Sequence, residues 1–169
     1  LESTQGAKDA LDLYRKISTP DIDLHLLMIS RLCRIGSPGA LRFALSIYNR
    51  CDCSDLKSNF TLLRGICQNP TPQSMLSAMS IYEKLPVLDN ATHDQYRKTL
   101  IQGFTNIENS PQAMQHAQML YDSQSSSNES ASAAMIHGYI TIGKYWALEK
   151  ALEIHERMEA PDVTLTNAL

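Results

Sequence analysis

A segment of the form Ala-x-x-x-Tyr recurs along the chain at Ala10/Tyr14, Ala44/Tyr48, Ala78/Tyr82 and Ala117/Tyr121, and returns as Ala151/His155. The steps are 34, 34, 39 and 34 residues. A fixed period of that length marks a chain built from stacked supersecondary units rather than around one irregular core. A second landmark is an apolar stretch that often closes on Gly, at 29–36, 63–69, 101–107 and 136–143. Aligning these stretches makes Leu26, Phe60, Lys98, Ala133 and Asn167 equivalent, with steps of 34, 38, 35 and 34. Comparing the two series places four additional residues in the Pro86–His93 linker and one near Glu108–Pro111.

Within each period two stretches of helical length are apolar at i, i+3, i+4 and i+7, as in Leu24, Leu27, Met28 and Leu32, then Leu41, Ala44, Leu45 and Tyr48. Ser37-Pro38-Gly39, Asn69-Pro70-Thr71-Pro72 and Asn109-Ser110-Pro111 punctuate them. The pattern predicts helices near 5–18, 22–35, 38–51, 56–68, 72–85, 91–107, 111–123, 129–142 and 145–159, and a further one from 163. The Ser/Asn-rich run 123–130 reads as a turn, because the period passes through it unbroken. A two-helix unit cannot bury its apolar face alone, so the units must stack. The expected fold is all-α, a right-handed α-solenoid of helical hairpins forming one array over 1–169. It would comprise a half unit 1–20, units about 21–55, 56–93, 94–128 and 129–162, and a half unit 163–169. An array of this kind is expected to belong to a longer one, with any targeting segment outside it. Cut ends would expose apolar faces.

Composition removes several alternatives. Hydrophobic residues make up 43% and charged residues 20%, as in folded proteins rather than disordered ones. Arg31, Arg34 and Lys144 interrupt the best apolar runs before they reach membrane-spanning length, so no membrane is expected. Cys33, Cys51, Cys53 and Cys67 include no CxxC pair and have no His at finger-like spacing. Neither a disulfide scaffold nor a zinc site is expected, and a reducing compartment is the simpler reading. Cys33 and Cys67 share a repeat position, which suits packing better than reactivity. His25, His93, His116, His137 and His155 are scattered, with no HExxH, phosphate-cradling loop or nucleophile elbow. His137 shares its slot with Ser30, Arg64 and Gln102. The chain is not expected to be an enzyme or to carry a metal or cofactor, although a nuclease domain elsewhere in a longer protein stays open.

The stretch Glu149-Lys150-Ala151-Leu152-Glu153-Ile154-His155-Glu156-Arg157-Met158, followed by Ala160-Pro161-Asp162-Val163-Thr164-Leu165-Thr166-Asn167-Ala168-Leu169, resembles the second helix, turn and next first helix of a pentatricopeptide repeat. Leu32-Cys33-Arg34-Ile35-Gly36 is similar to the end of that family's first helix. The tetratricopeptide signature Trp-x-x-Leu-Gly-x-x-Tyr is missing from the first helices. The resemblance implies single-stranded RNA along the first helices, about one base per repeat read by two side chains. One reader is the position of Leu26, Phe60, Lys98, Ala133 and Asn167; the other is that of Asp21, Asp55, His93, Asn128 and Asp162. Leu26, Phe60 and Ala133 have no hydrogen-bonding group and Lys98 suits a phosphate, so the expected grip is mainly on the backbone. Asp or Asn just before a helix also caps its first-turn N–H groups, which alone selects those residues. Both readings stand. Tyr14, Tyr48, Tyr82 and Tyr121 are expected to pack between hairpins. The resemblance further implies a role in RNA processing, stability, editing or translation, in the mitochondrion or a plastid.

Net charge is −3, yet its distribution is uneven. Segments 24–36, 57–69 and 95–107 hold Arg31, Arg34, Lys57, Arg64, Arg97 and Lys98 with no acid, and 130–143 has no charge. The remainder carries nine basic residues against all 18 Asp and Glu. If the first helices share one wall, it is basic inside an acidic shell, and Arg34, Lys57, Arg64 and Lys98 are the expected phosphate contacts. The alternative from another class is a protein–protein scaffold that docks a peptide in the same concavity, in a ribonucleoprotein or as a bacterial effector.

Overall fold

A computed structural model describes residues 2–51, 56–86, 88–124 and 128–158. Among the described residues the chain is entirely helical, with nine helices and no strand. They are α1 (Glu2–Lys16), α2 (Ile22–Ile35), α3 (Pro38–Arg50), α4 (Leu56–Gln68), α5 (Pro72–Glu83), α6 (Asn90–Thr105), α7 (Pro111–Asp122), α8 (Glu129–Ile142) and α9 (Tyr145–Glu156). The expected helix from 163 lies outside the described residues.

Local chemistry sets these bounds. Asp21, Ser37, Thr71, Asp89, Ser110 and Asn128 each accept a first-turn backbone N–H through a side-chain oxygen. Pro38, Pro72 and Pro111 follow at the first helical position, where the missing N–H costs nothing. At Gly36 α2 ends in the left-handed region, φ 65°, and a Cβ there would also strike the Asn69 side chain at 2.1 Å. Asn109, φ 52°, serves the longer turn between α6 and α7, where the sequence placed its one-residue insertion.

The helices gather into two compact groups, residues 1–69 and 70–169. In the first, α2 packs on α3 and α4, with α1 against α2 and α3 against α4. In the second, α6 packs on α7 and α8, α8 on α9 and α7, and α5 on α6. Packing of neighbours, and of every other helix, is that of stacked hairpins within each group.

One buried pair per first helix forms the core: Met28/Ile29, Leu62/Leu63, Leu100/Ile101 and Met135/Ile136. Burying each such side chain contributes roughly 1.5–3 kcal/mol. Their spacing repeats the 34, 38 and 35 steps of the sequence frame. Ala44, Ala78, Ala117 and Ala151 are fully buried on the second helices, where a larger side chain would hold the helices apart. The outer face of α9 is different: Leu148 is 40% exposed, whereas Leu41, Met75 and Met114, at the same repeat position, are at most 3% exposed.

The tyrosines link successive helices, as expected. Each reaches the residue eleven places on: Tyr14 to His25 Nδ1 at 2.5 Å, Tyr48 to Asn59 Oδ1, Tyr82 to His93 Nδ1 at 3.4 Å and Tyr121 to Ser132 Oγ at 2.8 Å. Three of those partners immediately precede Leu26, Phe60 and Ala133. His93 does not, since the corresponding residue before Lys98 is Arg97. The four additional residues are therefore not in the linker, as the sequence suggested, but form an added first turn of α6, capped by Asp89. Tyr-to-cap spacing is seven residues at Tyr14/Asp21, Tyr82/Asp89 and Tyr121/Asn128. Boundary 93/94 thus falls inside α6, and its structural counterpart is 89/90.

Candidate nucleic-acid interface

Close approach of α2 and α4 builds the most basic site predicted from the sequence. Gly65 lets the helices touch: a Cβ there would lie 2.2 Å from the Cys33 Cβ and 2.3 Å from its Sγ. Cys33 and Cys67 are buried thiols in no disulfide, and burial pushes both up to about 12, so they serve as small packing groups. Cys51, at the end of α3, is disulfide-bonded, which the cysteine spacing did not announce.

Beside that contact opens a cleft of about 400 Å³, lined by Ser30 and Arg34 of α2 and by Phe60, Thr61, Arg64 and Gln68 of α4, with Cys33 and Gly65 at the helix contact. Phe60, Arg64 and Gln68 are four residues apart, as are Ser30 and Arg34, so each set forms a stripe on its helix. No carboxylate lines the cleft. Arg34 and Arg64 are exposed and Phe60 is half-buried. Two cations, an aromatic face and hydroxyl and amide groups are a set that holds a phosphodiester and packs against a base. Thr61 and Gln68 were not singled out from the sequence, though the i, i+4 stripe through Phe60 and Arg64 contains Gln68.

The remaining expected residues are placed as follows. Leu26 is half-buried on α2, and Lys57 is exposed on α4, one turn before Phe60 and Thr61, with its backbone carbonyl accepting from the Thr61 hydroxyl at 2.7 Å. In the second group Lys98 and Ala133 are half-buried. Asp21 and Asn128 spend a side-chain oxygen on capping, accepting from Leu24 N at 2.8 Å and Ala131 N at 3.2 Å. His93 is not the last residue before a helix but lies in the first turn of α6, edge-on to Tyr82. Asp89 takes the capping position instead. Asp55, Asp162 and Asn167 lie outside the described residues.

The charge pattern is also altered by that added turn. Helix α6 begins at Asn90, so it carries Asp94, which pairs with Arg97 at 2.8 Å; the two side chains are only 16% and 18% exposed. Arg97 is thereby neutralised. Asp23 and Glu129 sit in the first turns of α2 and α8, where the helix dipole favours an anion. Acid is thus present on the first helices but confined to their N-terminal part. The slot of Arg64 holds Gln102 and exposed His137 in the second group, where Gln102 Nε2 donates to Ser130 Oγ at 3.3 Å.

Among the described residues no cluster of three or more His, Cys, Asp or Glu is placed to hold a metal, and no helix is long and apolar enough to cross a membrane. Compared with protein-family models, curated proteins and solved structures, the chain matches none.

Proposed function

We propose that the chain is an RNA-binding helical-repeat protein, a divergent pentatricopeptide-repeat array whose hairpins continue as a right-handed solenoid and grip single-stranded RNA mainly by its phosphates. The observation that carries this reading is the acid-free cleft lined by Arg34, Arg64 and Phe60. Lys57 extends the basic surface of the first group, and Lys98 supplies a cation in the second. Base selectivity is low, because Leu26 and Ala133 offer no hydrogen bonds and Asp21 and Asn128 are occupied as caps. By the same resemblance the chain acts in transcript processing, stability, editing or translation in a mitochondrion or plastid.

Fluorescence anisotropy with mixed single-stranded RNA at two salt concentrations tests the reading. Four phosphate contacts on a single strand give a loss of about 50-fold between about 50 and about 200 mM salt. Arg34→Glu with Arg64→Glu abolishes binding while helix content is kept. Absent or salt-insensitive binding overturns the proposal and favours the scaffold that takes a peptide in the cleft.

A further inference from the structure

The first group contains a second polar cleft, at the turn between α1 and α2. It measures about 350 Å³ and is lined by Tyr14, Arg15 and Ser18 on one side of the turn, by His25 of α2 and by Arg50 at the end of α3, with Ile17 and Pro20 between. Three helices and one turn therefore bring two guanidiniums, a hydroxyl, an imidazole and a phenol to one place. No carboxylate lines it, in a chain with more acid than base.

Two of these groups, Arg15 and His25, are held in position before any ligand arrives. Arg15 lies over the Phe43 ring, 5.3 Å from its centroid. It pairs with Asp12 at 3.4 Å, both side chains being well exposed, so the pair is screened and weak. The ring of His25 is fixed through Nδ1 by the Tyr14 hydroxyl at 2.5 Å and by edge contact with the Tyr14 ring. Burial pushes the Tyr14 hydroxyl above its ordinary value, and the Arg50 charge acts against that push. Arg50 thus projects its field onto the same wall.

We infer that this cleft binds a dianionic phosphate group, carried as a monoester or as inorganic phosphate. Two guanidinium forks match the two negative charges and the terminal oxygens of such a group, and Ser18 offers a further donor. The volume is at the small end of ligand sites, enough for a phosphate with a small substituent but not for a run of strand. The group has two sources, the terminal phosphate of an oligonucleotide or a free phosphate. The inference does not depend on RNA lying in the Arg34/Arg64 cleft.

Amide NMR titration with inorganic phosphate is the test. Saturable shifts are expected at Ser18, His25 and Arg50, weakened at least tenfold by Arg15→Gln and, separately, by Arg50→Gln. Arg31→Gln, an exposed arginine outside the cleft, serves as the control and leaves affinity unchanged. Circular dichroism verifies that each variant keeps its helix content. Oligonucleotides with a 5′-phosphate and with a 5′-hydroxyl separate the sources: a tenfold gain from the phosphate, lost in Arg50→Gln, identifies a strand end, and no gain alongside saturable phosphate shifts identifies a free phosphate. Neither saturable shifts nor a gain, or equal affinity in both cleft variants and wild type, overturns the inference.

Discussion

The hydroxyl of Tyr121 on α7 and Oγ of Ser132 on α8 lie 2.8 Å apart, joining the end of one hairpin to the start of the next. Ser132 is 2% exposed, so removing the phenol leaves a buried hydroxyl without that partner. Tyr121→Phe is expected to cost about 1–2 kcal/mol in urea unfolding, and a double-mutant cycle with Ser132→Ala to give a coupling of about 0.5–1.5 kcal/mol. Tyr145→Phe, at a residue 78% exposed, should change nothing measurable. A coupling near zero would remove the link from the account of hairpin stacking.

Gly65→Ala should destabilise the first group by about 1–3 kcal/mol through overpacking. Cys33→Ala does not rescue it, because the colliding atom is the Cys33 Cβ itself, at 2.2 Å. Gly138→Ala is milder, since the nearest atom, at 2.6 Å, is Sδ of flexible Met114, and the next, the Thr105 Cβ, stands further off at 2.9 Å. Thermal melts of the three variants rank the effects, and equal losses at Gly65 and Gly138 would contradict the packing described.

Burial raises the Cys33 and Cys67 thiols from 9.0 to about 12. Raised acids stabilise the fold fully below the unfolded value and less as pH climbs, because the unfolded chain then releases protons that the native state keeps. Stability should therefore fall between pH 9.0 and about 12. Replacing both residues by Ala flattens that fall, as read from urea midpoints across the range. Thiol alkylation at pH 8 should be slow in the native protein and rapid in denaturant.

Asp89 caps α6 through Oδ1 to Thr92 N at 2.9 Å and Oδ2 to the Thr92 hydroxyl at 2.8 Å, and these bonds hold its carboxyl below the usual value of 3.8. A lowered carboxylate stabilises above its unfolded value and loses that contribution as pH falls through the folded one. Asp89→Ala should lower Tm at neutral pH, with the difference from wild type shrinking below pH 3.8. Asp89→Asn keeps a cap and should lie closer to wild type at neutral pH.

Much of this architecture is written in local signals. Ser or Thr followed by Pro announced α3, α5 and α7, and the four buried pairs recur at the steps of the repeat because packing demands the same residue class there, although Leu27, on the expected apolar face of α2, is exposed. Position 98 therefore aligned correctly with the packed half of α6, while 93 did not mark its start. A count of periods registers additional residues but is blind to whether they lengthen a linker or a helix, and Pro86 drew attention to the linker. Asp94 was lost for the same reason. Arg34 and Arg64 could be paired because they recur on first helices. Arg15 and Arg50 could not, since they meet only when the ends of α1 and α3 are brought beside one turn.

Four residues rotate a helix by about 400°, returning it to within about 40° of the face it left. The extra length of α6 can therefore be inserted ahead of Leu100 and Ile101 without steering them out of the interior. Two residues more or fewer would turn that pair roughly 200° and bring it to solvent. Growth of such a chain is quantised by the helical pitch, and lineages that lengthen it should differ by whole turns far more often than by half turns.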